Sequence, residues 1–285
     1  MWLSWLLFAP LLSQVTATLP QTLQVNGISR DLTDAWSDPP ASDLGMVRAR
    51  VDLGRSADRP RPEREKLDRL TLLGTRGAAP GAVYDLRRVC DFLCGDEEEE
   101  CHYEMTVAAQ GEPEAMGTPL LALVGSYEVT DYRALSAVVS ATPPDLLTRG
   151  FEPTVWPAPG TSGSRSEYRL RSAGEGRLQL EYRWSPESET YTLTGDRCET
   201  RSVGGLTRVD CASFVALAEG PRPLLVSFAD YGAPAAEPLA EMRIDGNRAL
   251  LVRLGLKAQT IYGLLVETEQ GWVAQFDPRD YALLC

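Results

Sequence analysis

Histidine is almost missing from this chain: His102 is the sole one in 285 residues. A Ser-His-Asp or Cys-His hydrolase would have to be built around that residue, and no Gly-x-Ser-x-Gly elbow accompanies it. Placed next to Cys101 in an expected strand, His102 reads as a packed or surface residue. A metal site with two or more imidazole ligands cannot be assembled within one such chain. Lysine is nearly as scarce, with Lys66 and Lys257 the only two, so the 28 basic residues are almost all Arg. Against them stand 40 acidic residues, for a formal charge of −12. That balance argues against nucleic acid or an anionic membrane surface as partner, because both demand a positive face. Phosphate-cradling signatures are absent too. Gly74-Thr75-Arg76-Gly77 and Gly160-Thr161-Ser162-Gly163 are short glycine loops, but neither opens a helix in a βαβ unit, and both read as turns. No cofactor is expected.

Long apolar runs are lacking except at the start. Trp2 to Leu12 is apolar apart from Ser4 and Pro10, a length that suits the core of a secretory signal and is too short to span a bilayer as a helix. Val15-Thr16-Ala17 offers small residues where a signal peptidase reads, so residues 1–17 are expected to be a signal peptide. No Lys or Arg precedes the apolar run, which leaves the terminal amine as its only positive charge. Later apolar stretches such as Leu120 to Val124 are strand-sized. The ending Tyr281-Ala282-Leu283-Leu284-Cys285 is no prenylation box. The mature protein is expected to be secreted or periplasmic, with no membrane insertion after the signal is removed.

What the chain does contain is β pattern. Hydrophobic residues make up 44% of it, ample for one large core or two small ones. Residues 18–45 read as a polar linker or arm, and 46–150 as an N-terminal α+β part. Met46 to Leu53 alternates apolar and polar residues with period two, the mark of a half-buried strand. Ala82 to Val89, Cys101 to Ala109 and Leu120 to Gly125 read as further strands. Leu70 to Leu73 fits a strand or the end of a helix from Glu63. Thr130 as N-cap, followed by Asp131 and Tyr132 to Ser140 before Pro143-Pro144, predicts a short helix. Residues 151–166 form a Pro/Gly/Ser linker, and 167–285 a C-terminal β domain. There Arg177 to Trp184 is the clearest strand. Tyr191 to Thr194, Arg197 to Val203, Leu206 to Leu217, Leu224 to Phe228, Ala249 to Leu256, Ile261 to Glu267 and Trp272 to Phe276 follow, with Asp245-Gly246-Asn247 and Gln270-Gly271 as turns. The fold expected is mainly β (β-dominated α+β): an antiparallel β-sandwich or small barrel in the C-terminal half, and a mixed N-terminal part with one short helix.

Six cysteines behind an export signal point to disulfides rather than to metal or cytosolic redox chemistry. If Gly204-Gly205 is a two-residue hairpin loop, Val203 faces Leu206. Stepping outward along both strands then brings Cys198 opposite Cys211 at a non-hydrogen-bonded site, where Cα atoms sit about 4.5 Å apart and a disulfide is allowed. Cys90, Cys94 and Cys101 are odd in number, so full pairing obliges one of them to reach Cys285. Spacing does not say which. Cys90, Cys94, Cys101 and His102 would also make a zinc ligand set, but in a spacing typical of no zinc motif.

The run Asp96, Glu97, Glu98, Glu99 and Glu100 lacks the alternation and the glycine of an EF-hand loop. It reads as a solvated acidic loop held at its base by cysteines and usable as a contact surface for a basic partner. Trp156 and Trp272 could line a sugar-binding face, although packing is the commoner fate of Trp. These features fit an exported, disulfide-stabilised, non-enzymatic binding or structural protein of the cell envelope or extracellular space, with a protein or glycan ligand. The competing expectation is a carboxylate-based hydrolase of extracellular polysaccharide.

Overall fold

A computed structural model describes residues 19–29, 48–55, 69–92, 99–110, 113–138, 154–157, 165–174, 177–184, 190–196, 198–228, 235–256, 259–269 and 271–275. These are strands almost throughout, paired antiparallel, with one short helix, α1 (Pro113–Met116). Six strands make a closed barrel: β1 (Gln21–Ser29), β2 (Arg48–Arg55), β3 (Leu70–Gly74), β4 (Ala78–Phe92), β5 (Glu99–Ala109) and β6 (Pro119–Val124), in the order β1-β2-β5-β4-β3-β6. Closure comes from β1, which pairs with both β2 and β6. A barrel this narrow is filled by its own side chains. Leu23, Leu70, Leu72, Met105, Val107 and Ala122 occupy the interior, and Met116 of α1 joins that cluster fully buried. Space inside is tight at Gly81, where a Cβ would come within 2.9 Å of Val107 Cγ1 and 3.1 Å of Leu72 Cγ.

The remaining strands build three open sheets. The inner sheet has the order β20-β19-β18-β17-β7 and is made of β7 (Val129–Ala134), β17 (Ala235–Ile244), β18 (Asn247–Leu256), β19 (Gln259–Thr268) and β20 (Gly271–Gln275). The middle sheet, β16-β15-β14-β13-β8, uses β8 (Ala137–Val138), β13 (Glu199–Val203), β14 (Leu206–Asp210), β15 (Phe214–Glu219) and β16 (Arg222–Phe228). The outer sheet, β12-β11-β10-β9, uses β9 (Thr154–Pro157), β10 (Arg165–Gly174), β11 (Arg177–Trp184) and β12 (Thr190–Gly195).

Side-chain alternation stacks these layers. In β18, Ala249 and Leu251 join Leu73, Leu121 and Leu123 of the barrel wall in one core. Leu250, Val252 and Leu254 turn the other way and meet Val215, Leu217 and Leu225 of the middle sheet. In β15 the same switch sends Phe214 and Ala216 to Leu170, Leu178 and Leu180 of the outer sheet. The order is therefore barrel, inner sheet, middle sheet, outer sheet, with three apolar cores between them. A strand buried on both faces reads as an unbroken apolar run. That is why Phe214-Val215-Ala216-Leu217-Ala218, all buried, shows no alternation of apolar with polar residues.

The fold is mainly β and antiparallel, as expected; its closed barrel lies in the N-terminal half, and the C-terminal half is layered sheets. Other expectations need correction. Where a helix is expected from Thr130 to Ser140, the described residues form two strands joined at 135–136: β7 pairs with β17 and β8 with β13. Local capping signals lose there to tertiary pairing. Asp131, at φ 53°, sits where the β7–β17 register shifts, a bulge that a short polar residue tolerates. Because β7 and β8 enter the inner and middle sheets, those sheets draw on chain from before residue 150. Residues 21–29, inside the stretch read as a polar arm, are the closing strand of the barrel. Residues 154–157, inside the Pro/Gly/Ser linker, are the outer sheet's edge strand, where proline is admissible. The single strand expected from Leu206 to Leu217 is two, β14 and β15, separated at residues 211–213. The expected signal peptide, residues 1–17, and the stretch 139–150 lie outside the described residues.

Candidate functional site

Polar chemistry gathers at the rim of the core between the inner and middle sheets. β18 follows a tight turn in which Asp245 and Gly246 take φ 48° and 82°, a conformation suited to Asp-Gly in a two-residue hairpin. That turn starts β18 with Arg248 on the face of Leu250 and Val252. Arg248 Nη1 donates to Glu219 Oε1 at the end of β15 (2.6 Å), and its Nε donates to Glu241 Oε1 of β17 (2.7 Å). Glu267 of β19 pairs more distantly, 3.9 Å from Nη1. Trp272 of β20 places its ring under the guanidinium, 5.1 Å from Cζ to the ring centroid, while its Nε1 donates to Glu219 Oε2 at 3.3 Å. Arg133 of β7 donates to the other oxygen of Glu241. Side chains from two sheets thus converge on one guanidinium.

The electrostatics fix the charge states. Hydrogen bonding from Arg248 holds the Glu219 carboxyl below its ordinary value, against the opposing effect of burial. At Glu241 burial is the largest influence and pushes upward, but the bonds from Arg248 and Arg133 together outweigh it, and the net direction is again down. Burial likewise disfavours charged Arg248, and its two carboxylate partners reverse that. All three groups are charged near neutrality. A general acid needs a carboxyl held protonated by a raised pKa. Neither glutamate is in that state, and both are held in ion pairs with Arg248, a clamp at the rim of an apolar core.

A second polar junction joins the barrel to the inner sheet. Tyr132 of β7 donates its hydroxyl to the carbonyl of Gly74, and burial pushes its pKa up to about 12. Nearby, Thr71 Oγ1 donates to Gly125 O (3.1 Å) and accepts from Tyr127 N (3.1 Å).

The sequence-derived candidates fall into three places. Cys198 and Cys211 are joined by a disulfide with a Cα–Cα distance of 4.2 Å, one position beyond the Glu199–Asp210 pair of the hairpin closed by Gly204-Gly205. Both glycines take positive φ (58° and 85°), and Val203 faces Leu206 as expected. The bond packs against Gly195, whose added Cβ would lie 2.8 Å from Cys211 Sγ. Cys90 and Cys101 are Cα partners on β4 and β5, followed by the pairs Asp91–Glu100 and Phe92–Glu99. Cys94, Asp96, Glu97, Glu98 and Cys285 lie outside the described residues.

His102 is the partner of Val89. Adjacent strand positions belong to opposite faces of a sheet, so 101 and 102 do not share a face, which speaks against one zinc ion taking both. Among the described residues, no group of three or more Cys, His, Asp or Glu is placed to hold a metal ion. The ring of Trp272 lies over Arg248 and, partly buried, packs against the core of the inner and middle sheets. The clamp itself was not anticipated. Its members are scattered from Arg133 to Trp272, and each charged one looks locally like a residue of a solvated face.

Comparison with protein-family models, curated proteins and solved structures finds no match for this chain.

Proposed function

We propose that this chain is an exported, disulfide-stabilised binding or structural protein of the cell envelope or extracellular space, acting without catalysis. The observation that carries this reading is the Arg248 clamp: where carboxylates and an aromatic ring converge, the carboxylates are tied to arginine and held ionised. The Cys198–Cys211 bond supports an oxidising compartment. Among the described residues, no helix is long and apolar enough to cross a membrane. A stack of packed sheets offers its loops and outer faces to a ligand. The ligand proposed is a protein or a glycan, and the acidic run Asp96 to Glu100 suits a basic protein partner better than an acidic one.

Cell fractionation and polysaccharide digestion test this reading together. Protein recovered from the exported fraction, with no release of reducing ends from a panel of extracellular polysaccharides, would support it. Hydrolysis abolished by Glu219→Gln or Glu241→Gln, with folding retained, would replace it with the carboxylate-hydrolase reading. Recovery in the cytosol alone would remove export.

A further inference from the structure

The ladder between β4 and β5 runs without a register shift from Asp85 to Phe92, through Leu86–Met105, Arg88–Tyr103 and Cys90–Cys101. Leu86 and Met105 belong to the barrel-interior cluster. Cys90 and Cys101 share their parity, so the two cysteine positions lie on the same face of this ladder as Leu86 and Met105, toward the end where the acidic run begins. Directly opposed antiparallel positions have Cα atoms about 4.5 to 5.5 Å apart, whichever type of pair they form. A disulfide accepts roughly 4.4 to 6.8 Å. The placement repeats that of Cys198 and Cys211, which are bonded directly across the hairpin of β13 and β14.

We propose that Cys90 and Cys101 form a disulfide across β4 and β5, closing a covalent ring that includes Asp96 to Glu100 in its sequence. With Cys198 bonded to Cys211, a fully oxidised chain then leaves Cys94 and Cys285 for each other. The proposal rests on export to an oxidising compartment. Two thiols give up two protons and two electrons there to a disulfide oxidant, protein-borne or glutathione disulfide, which departs as two thiols. The bond makes residues 90–101 a covalent ring, so any basic partner meets the acidic run with less conformational freedom left to lose.

The test is a disulfide map of the full chain recovered from its native compartment, digested without reduction by a protease that cuts at acidic residues. Asp91 separates Cys90 from Cys94, and Asp96 to Glu100 separate Cys94 from Cys101, so all three are distinguishable. The expected product is a peptide pair linking Cys90 to Cys101. In a Cys90→Ser variant, one newly alkylatable thiol should appear, at Cys101. A bond of Cys94 to Cys90 or Cys101, or a new thiol in the variant at Cys94 or Cys285, would overturn the pairing and leave export standing. Free thiols in the recovered protein, with Cys90–Cys101 forming once glutathione disulfide is added to the purified chain, would overturn export and keep the pairing. Should Cys90→Ser not fold, the map of the unaltered chain decides alone.

Discussion

The barrel and the three-sheet stack use the same antiparallel ladder and solve the same problem in opposite ways. The barrel removes its edges by pairing β1 with β6 and needs only one interior. The stack leaves its sheets open and gains burial by using both faces of the inner and middle sheets. Closure costs the barrel little beyond filling a narrow interior. Stacking leaves a rim at every layer, and at one rim the chain places the Arg248 clamp, where each carboxylate meets a cation. At that rim the stack is therefore closed by paired polar side chains rather than by a backbone ladder.

That contrast can be broken most forcefully in the cores. Phe214→Ala removes a fully buried ring between middle and outer sheets and should cost about 3 to 5 kcal/mol. Leu72→Ala empties part of the barrel interior and should cost about 2 to 5 kcal/mol. The barrel wall and inner sheet share a core through Leu73, Leu121, Leu251 and Leu264, so denaturant unfolding of either variant should show one transition, shifted to lower midpoint. Two separated transitions would mean that the barrel and the stack unfold independently.

Next in size is the disulfide. Cys198 and Cys211 are separated by 13 residues, and a loop of that length is worth about 3 kcal/mol in the chain-entropy account. The Cys198→Ala/Cys211→Ala variant should lose about that much by denaturant melting. A loss well under about 1 kcal/mol would show that Gly195 and Phe214 hold the site without the bond.

The clamp should respond less. Arg248→Met keeps the stem over Trp272 but leaves Glu219 and Glu241 without their shared cation. Its carboxylate partners are partly exposed, so solvent screening limits the loss to about 1 to 2 kcal/mol. The pH dependence has a definite sign. Both glutamates are held below the ordinary 4.5 in the folded chain, so their contribution is present above that value and is lost as pH falls through the lowered folded values. Acid titration of stability should be steeper below about pH 4.5 in the parent than in Arg248→Met. Parallel curves would show that the clamp carries no linkage.

How much of this was legible in the sequence depends on how local the cause is. β11 was readable to the residue because one face meets a core and the other faces out: Leu178 and Leu180 are buried while Arg177 is exposed. Gly204-Gly205 fixed a register, and with it the partner of Cys198. β17 escaped notice because Ala, Glu and Pro238 are poor strand residues. Its place between β18 and β7 comes from pairing, with the register shift falling next to the proline. The clamp escaped for a related reason: an ion pair between residues such as Glu219 and Arg248 has no sequence spacing to recognise, because stacking brings them together.

The smallest effect probes the joint between barrel and stack. Tyr132 of β7 reaches back to the barrel, giving its hydroxyl proton to Gly74 O. Tyr132→Phe keeps the ring and removes that bond, which should cost about 1 kcal/mol. Because burial raises its pKa to about 12 from 10.0, the folded chain keeps the phenol proton through a range where the unfolded chain releases it. The contribution is therefore fully present below pH 10 and is lost as pH rises toward 12. Stability of the parent should fall more steeply than that of Tyr132→Phe across that window, in a denaturant series read at fixed temperature. If the two curves coincide, the hydroxyl is not held in the joint, and the barrel and inner sheet are joined by their apolar core alone.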